Sequence, residues 1–169
     1  MKKSICIFGL ASGFSKNVAQ RISNKLEMHF ACVEDLIEFD LINPSEVKKI
    51  CGAEYLKKIE RKKVKEATSF ENTIVYLRFA LLNDELNFKH LKNTCVMVYI
   101  ALNEDSYEKK ISRDKLSKLE KILSLGVFKD RDTLLKNRAD IVVDCSNTLP
   151  EKSATRVKNA IFNYYEERI

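Results

Sequence analysis

The chain is poor in the residues that shape tight loops. It has four glycines and two prolines in 169 residues, where an average usage of ~7% glycine would give about twelve. That excludes a function needing several glycine-rich loops. Tryptophan is absent, and the two histidines, His29 and His90, lie near no nucleophile or ligand partner in sequence, so they read as ordinary surface or cap residues. The five cysteines (Cys6, Cys32, Cys51, Cys95 and Cys145) form no CxxC pair and no Cys/His cluster. An odd number closes no disulfide framework, and a reducing cytoplasm is the economical expectation. No segment approaches the ~18 apolar residues of a membrane span, and Met1-Lys2-Lys3 leads into an apolar run too short for a secretory signal.

What is present describes a folded chain. Hydrophobic residues make up 45% and charged residues 32%, with a net charge of +6, a globular and not a disordered composition. The length suits a single domain over residues 1–169. The basic clusters Lys2-Lys3, Lys48-Lys49, Lys57-Lys58, Arg61-Lys62-Lys63 and Lys109-Lys110 are mostly mixed with glutamate. They read as solvated helix faces, and neither nucleic acid nor membrane is expected as a partner.

Apolar runs and helical spacings alternate along the chain. Strands are predicted at Ser4 to Phe8, Phe30 to Val33, Thr73 to Leu77, Thr94 to Ile100 and Ala139 to Val143. The first strand leads into a loop from Leu10 to Lys16, and then Val18, Ala19, Ile22 and Leu26 recur at helical spacing. Further helices are predicted over Glu34 to Phe39, Ser45 to Ser69, Asp84 to Leu91, Ser106 to Leu125 and Lys152 to Arg168. Cys6, Cys95 and Cys145 fall inside strands and read as core, as does Cys32 at a strand end. Strands apolar throughout and alternating with helices imply an α/β fold, a three-layer α/β/α sandwich on a five-stranded parallel sheet. In such sheets ligands bind beyond the carboxyl ends of the strands, which directs attention to the loop after Phe8.

Residues 9–17 read GLASGFSKN where a phosphate-binding loop, GxxxxGK[ST], would lie between strand and helix. That motif uses glycines to let backbone N–H groups curl round phosphate, a lysine for the terminal phosphates and a hydroxyl for Mg²⁺. Counted from Gly9, its Gly-Lys-Ser/Thr positions hold Phe14, Ser15 and Lys16. Admitting one extra residue would make Lys16 the phosphate lysine and Asn17 the metal contact, but would turn the Val18/Ile22 stripe about 100° away from the core. Ser15 is therefore taken as the lysine position. The candidate phosphate-binding residues are Gly9, Ser12, Gly13, Ser15, Lys16 and Asn17, with the amides of residues 12–16 as donors for a weakly held anion.

With this loop, Phe30, Ile37 and Glu38, Gly52 to Glu60, Asn87 to Leu91, VYI at 98–100 and RDTLLKNRADIVVD at 131–144, the chain resembles the shikimate kinases over nearly its whole length. The resemblance implies a P-loop kinase fold in which ATP phosphorylates a hydroxyl of shikimate beneath a mobile lid. In the family's Phe-x-Asp-x-Asp-x-x-Ile-Glu stretch the first Asp organises Mg²⁺ and the second holds substrate hydroxyls; here those positions are Cys32 and Glu34. The arginine that grips the substrate carboxylate corresponds to Lys57, the second such arginine to Arg131, and the glycine wall of the pocket to Arg78-Phe79-Ala80. The lid lies between Ser106 and Asp130, with Arg113 as its loose match for a phosphate-facing arginine.

Phosphate loop and metal carboxylate thus depart from the pattern together, while Glu34, Lys57 and Arg131 keep charges suited to a small hydroxylated carboxylate or phosphate. Three functions remain open. One is a module whose kinase chemistry is lost or severely reduced, with no cofactor or metal assigned. A second is a divergent kinase of aromatic amino-acid biosynthesis using ATP and Mg²⁺, with Lys16, Asn17 and Arg131 in altered roles. The third is a scaffold that binds a protein partner through the rim around Arg78, Phe79 and Phe88.

Overall fold

The computed structural model describes residues 4–41 and 43–168. In chain order they form β1 (Ser4–Gly9), α1 (Ser12–Leu26), β2 (His29–Cys32), α2 (Val33–Leu41), α3 (Pro44–Cys51), α4 (Ala53–Ala67), β3 (Thr73–Tyr76), α5 (Phe79–Leu82), α6 (Glu85–Thr94), β4 (Cys95–Ala101), α7 (Glu104–Ile111), α8 (Lys118–Gly126), α9 (Phe128–Arg138), β5 (Ile141–Asp144) and α10 (Pro150–Glu166). The strands make one sheet in the order β2-β3-β1-β4-β5, with every pairing parallel. This is the α/β fold anticipated from the apolar runs, with β1 at its centre.

Alternation along β1 divides the core. Ile5 and Ile7 join Val18, Ile22, Val157 and Ile161 in one buried cluster, beneath α1 and α10. Cys6 and Phe8 face the other way, into a cluster with Val33, Val64, Leu82, Leu91 and Leu135, beneath α2, α4, α5, α6 and α9. Both faces of the sheet are covered, as the uninterrupted burial of β1, β3 and β4 requires. Among the described residues no helix is long and apolar enough to cross a membrane.

Three helix expectations are corrected. The segment Ser45 to Ser69 is not one helix: Gly52, at φ +88°, separates α3 from α4, a backbone state glycine adopts without cost. The segment Ser106 to Leu125 is also two helices, because Ser117 starts α8 afresh with a capping box to Glu120. The apolar side chains Leu119, Ile122 and Leu123 consequently lie exposed on α8. The third correction is at the start of α1. No open loop runs from Leu10 to Lys16; the helix begins at Ser12, and only Leu10 and Ala11 join it to β1.

Candidate functional site

The β1–α1 junction is held from below and from the side. The Ser15 N–H donates to the Ala11 carbonyl at 2.8 Å, so Ser15 already belongs to the helical ladder. The amides available to an anion shrink from residues 12–16 to the first turn, Ser12 to Phe14. The Tyr76 hydroxyl, on β3, donates to the Ser12 carbonyl at 2.9 Å; burial, with Glu34 nearby, pushes its pKa well up. Ser15 is fully buried, and its side chain is packed on Gly9 so closely that a Cβ there would collide with Oγ. Among the described residues, the Ser15 hydroxyl is the buried side-chain oxygen or nitrogen with no hydrogen-bond partner.

The other loop candidates are engaged or turned away. Lys16 donates to both carboxylate oxygens of Asp35, at 2.7 and 2.8 Å. Burial pulls on its ammonium, but the hydrogen bond to Asp35 and that carboxylate's charge outweigh it and hold the pKa above the ordinary lysine value. Asn17 points along the helix surface and accepts from Arg21, which in turn pairs with Glu151. Gly13 is exposed, with Asp114 over it: a Cβ on Gly13 would lie 2.7 Å from the Asp114 Oδ1. Lys110 covers the Phe14 ring at 3.7 Å and donates to the Thr148 carbonyl.

Below the ends of β2 and β3 a cavity of about 240 Å³ is lined by Glu34, Ile37, Glu38, Glu60, Arg78 and Leu81 among others. Glu34 is 12% exposed, and its Oε1 accepts from the Arg78 backbone N–H at 2.6 Å. Burial raises its pKa, partly offset by that bond. Glu60 is raised likewise by burial, with Asp84 and Glu34 adding repulsion. The Cys32 thiol lies 3.7 Å from Glu34 Oε2, and burial lifts its pKa to about 11, which keeps it protonated.

Glu34, Lys57 and Arg131 do not converge. Glu34 lines the cavity, whereas Lys57 is 48% exposed on α4 and pairs with Glu54 at 3.2 Å. Arg131, on α9, stacks over the Phe79 ring at 4.6 Å. Glu38, Glu60 and the half-exposed Arg78 complete the lining instead, and Asp35 supplies the partner of Lys16. Asp35, directly after Glu34, was visible as a carboxylate in sequence; the approach of Glu60 and Arg78 is long-range and left no local signal. A larger hollow of about 510 Å³ lies elsewhere, between Ile5, Met28, Phe162 and Tyr165 at the starting edge of the sheet, away from the strand ends.

Comparison with known proteins agrees with this architecture. The shikimate kinase from Bacteroides thetaiotaomicron superposes with a TM-score of 0.78 at 14% identity, covering 94% of this chain and 98% of that one. The shikimate kinase from Acinetobacter baumannii, solved in complex with shikimate, gives 0.80 at 17% identity, covering 95% and 93%. The dephospho-CoA kinase from Campylobacter jejuni gives 0.61 at 17%, covering 96% and 100%. At such identities the likeness is one of fold. No curated protein matches the sequence significantly. The family model for shikimate kinase matches residues 14–162, and the chain accordingly belongs to the shikimate kinase family.

Proposed function

We propose that this protein is a single shikimate-kinase-like domain, residues 1–169, whose phosphoryl-transfer chemistry is lost or severely reduced. The observation that carries the reading is Ser15. Phosphoryl transfer is mostly positioning and neutralisation of phosphate charge by cations and metal, and at the lysine position stands a short neutral side chain sealed against Gly9. Lys16, at the metal-hydroxyl position, is occupied by Asp35. The first metal carboxylate is replaced by Cys32, whose thiol stays protonated. These residues do not fit Mg²⁺-ATP.

The cavity supports the same reading. Three glutamates face one arginine there, and with Lys57 and Arg131 outside it, a carboxylate ligand such as shikimate would meet net repulsion. The test is calorimetric titration with ATP plus Mg²⁺ and then with shikimate, together with a coupled assay for ADP release. Neither binding nor shikimate-dependent ADP is expected. Micromolar ATP binding with shikimate-dependent ADP release would overturn the reading in favour of a divergent kinase using Lys16.

A further inference from the structure

The positive charge of the chain is concentrated in one hairpin. Residues 43–67, which include α3 and α4, hold eight basic and four acidic residues, four of the six net positive charges. Three of the cations are neutralised locally: Lys57 by Glu54, Arg61 by Asp84, and Lys63 by Asp40 and Glu66. Lys48, Lys49, Lys58, Lys62 and Lys65 are exposed and have no carboxylate partner among the described residues. On α4, the steps of three, four and three from Tyr55 through Lys58 and Lys62 to Lys65 put all four on one helical face, opposite the buried Val64 and Ala67.

Large apolar side chains stand in water beside this stripe. α3 buries none of its residues, and Ile50 at its end is 82% exposed. Tyr55, across the Gly52 turn, is 50% exposed. Phe39 is 87% exposed, and the Lys63–Asp40 ion pair at 2.6 Å ties its end of α2 to α4.

We propose that the α3–α4 hairpin docks on an anionic lipid bilayer, with Ile50 and Tyr55 entering the headgroup region and Lys58, Lys62 and Lys65 lying over the lipid phosphates. The apolar face of α4 is spent on the core, which leaves its lysine face as a basic surface that anionic headgroups attract, with Ile50 and Tyr55 exposed at its end. Seven of the eight cations are lysine, a residue depleted in protein–protein interfaces, whereas arginine is enriched there; the one arginine, Arg61, is committed to Asp84. A nucleic-acid backbone would engage the lysines but has no use for an aliphatic side chain such as Ile50 at the tip. The inference stands whether or not kinase activity survives.

Cys51, at the tip, is exposed, whereas Cys6, Cys32, Cys95 and Cys145 are buried, so a polarity-sensitive fluorophore can be placed there selectively. The labelled full-length protein would be mixed with phosphatidylcholine vesicles with or without phosphatidylserine, alongside unlabelled protein in co-sedimentation. Binding is expected only with phosphatidylserine, with a blue shift of the probe and release on raising the salt. At about fivefold per lysine, Lys58→Gln, Lys62→Gln and Lys65→Gln combined should weaken binding by about a hundredfold, with an unchanged thermal melt because all three are exposed. Ile50→Ser with Tyr55→Ser should weaken binding without altering its salt dependence. The proposal is overturned by an absence of binding at low salt, by a triple variant that binds like the parent, or by a probe that stays in water while the protein binds RNA as tightly as vesicles.

Discussion

Replacing Ser15 by alanine should stabilise the protein, a direction opposite to most buried substitutions. The Ser15 hydroxyl has no partner and no access to water. Desolvating such a group without a compensating bond costs about 1–3 kcal/mol, and alanine keeps the Cβ while removing only the oxygen that crowds Gly9. Alanine is also the better helix former by about 0.5 kcal/mol, so the hydroxyl itself accounts for any gain beyond that. A total gain of about 1.5 kcal/mol corresponds to a rise in Tm of roughly 3–6 °C for a chain of this size. Urea unfolding followed by circular dichroism, with the slope m checked for constancy, gives the free energy directly. A gain of no more than the propensity term, or a loss, would mean that the hydroxyl is bonded and the junction is not sealed. The companion Gly9→Ala, which would force a Cβ onto Ser15 Oγ, should destabilise by about 1–3 kcal/mol, and the Ser15→Ala background should recover part of that.

Two further outcomes test the site's surroundings. Asp84 caps α6, accepting from the Leu86 and Asn87 amides at 3.1 Å each while holding Arg61; Asp84→Ala should cost about 2 kcal/mol in chemical denaturation, and Asp84→Asn, which keeps the cap, should cost less. Glu34 has its folded-state pKa raised by burial, so its contribution to stability is fully present below the ordinary carboxylate range and is lost as pH rises through the raised value. Glu34→Gln should therefore reduce the loss of stability on raising pH from about 4 to 7, and an unchanged slope of unfolding free energy against pH would show that Glu34 is not desolvated.

The strands were legible because burial on both faces leaves no polar alternation to misread, and even the edge strand β5, with Val142 and Asp144 outward, kept enough apolar character. The helix breaks were harder. Lysines and glutamates continue on both sides of Gly52, so periodicity ran straight through a turn that only the positive φ of one residue makes. At the second break a signal was present: Ser117 followed three residues later by Glu120 is a helix-start pattern, but the apolar stripe of α8 invited a longer helix. The site was legible in its residue types and not in its pairings. The proposal that Ser15 stands at the lysine position rests on helix phase, whereas the Lys16–Asp35 bridge and the stacking of Arg131 on Phe79 join residues whose separation in sequence carries no local pattern. Lys57 kept a charge in the sequence comparison but met Glu54 one turn earlier on its own helix, a short-range capture that a family-wide correspondence does not register.

On the reading proposed above, the two-residue junction between β1 and α1 makes the loss of an open phosphate loop hard to reverse. A lysine placed at position 15 would have its long side chain pointed at Gly9, in the space a single hydroxyl already fills. To free it, the first turn of α1 would have to unwind, giving up the Ser15–Ala11 ladder bond and the Tyr76 hydroxyl's hold on Ser12. Lys16 would also have to leave Asp35. Each change alone loses a contact and gains nothing until the others are in place, so the junction acts as a ratchet: one substitution cannot reopen it, and a route back would pass through sequences less stable than either end.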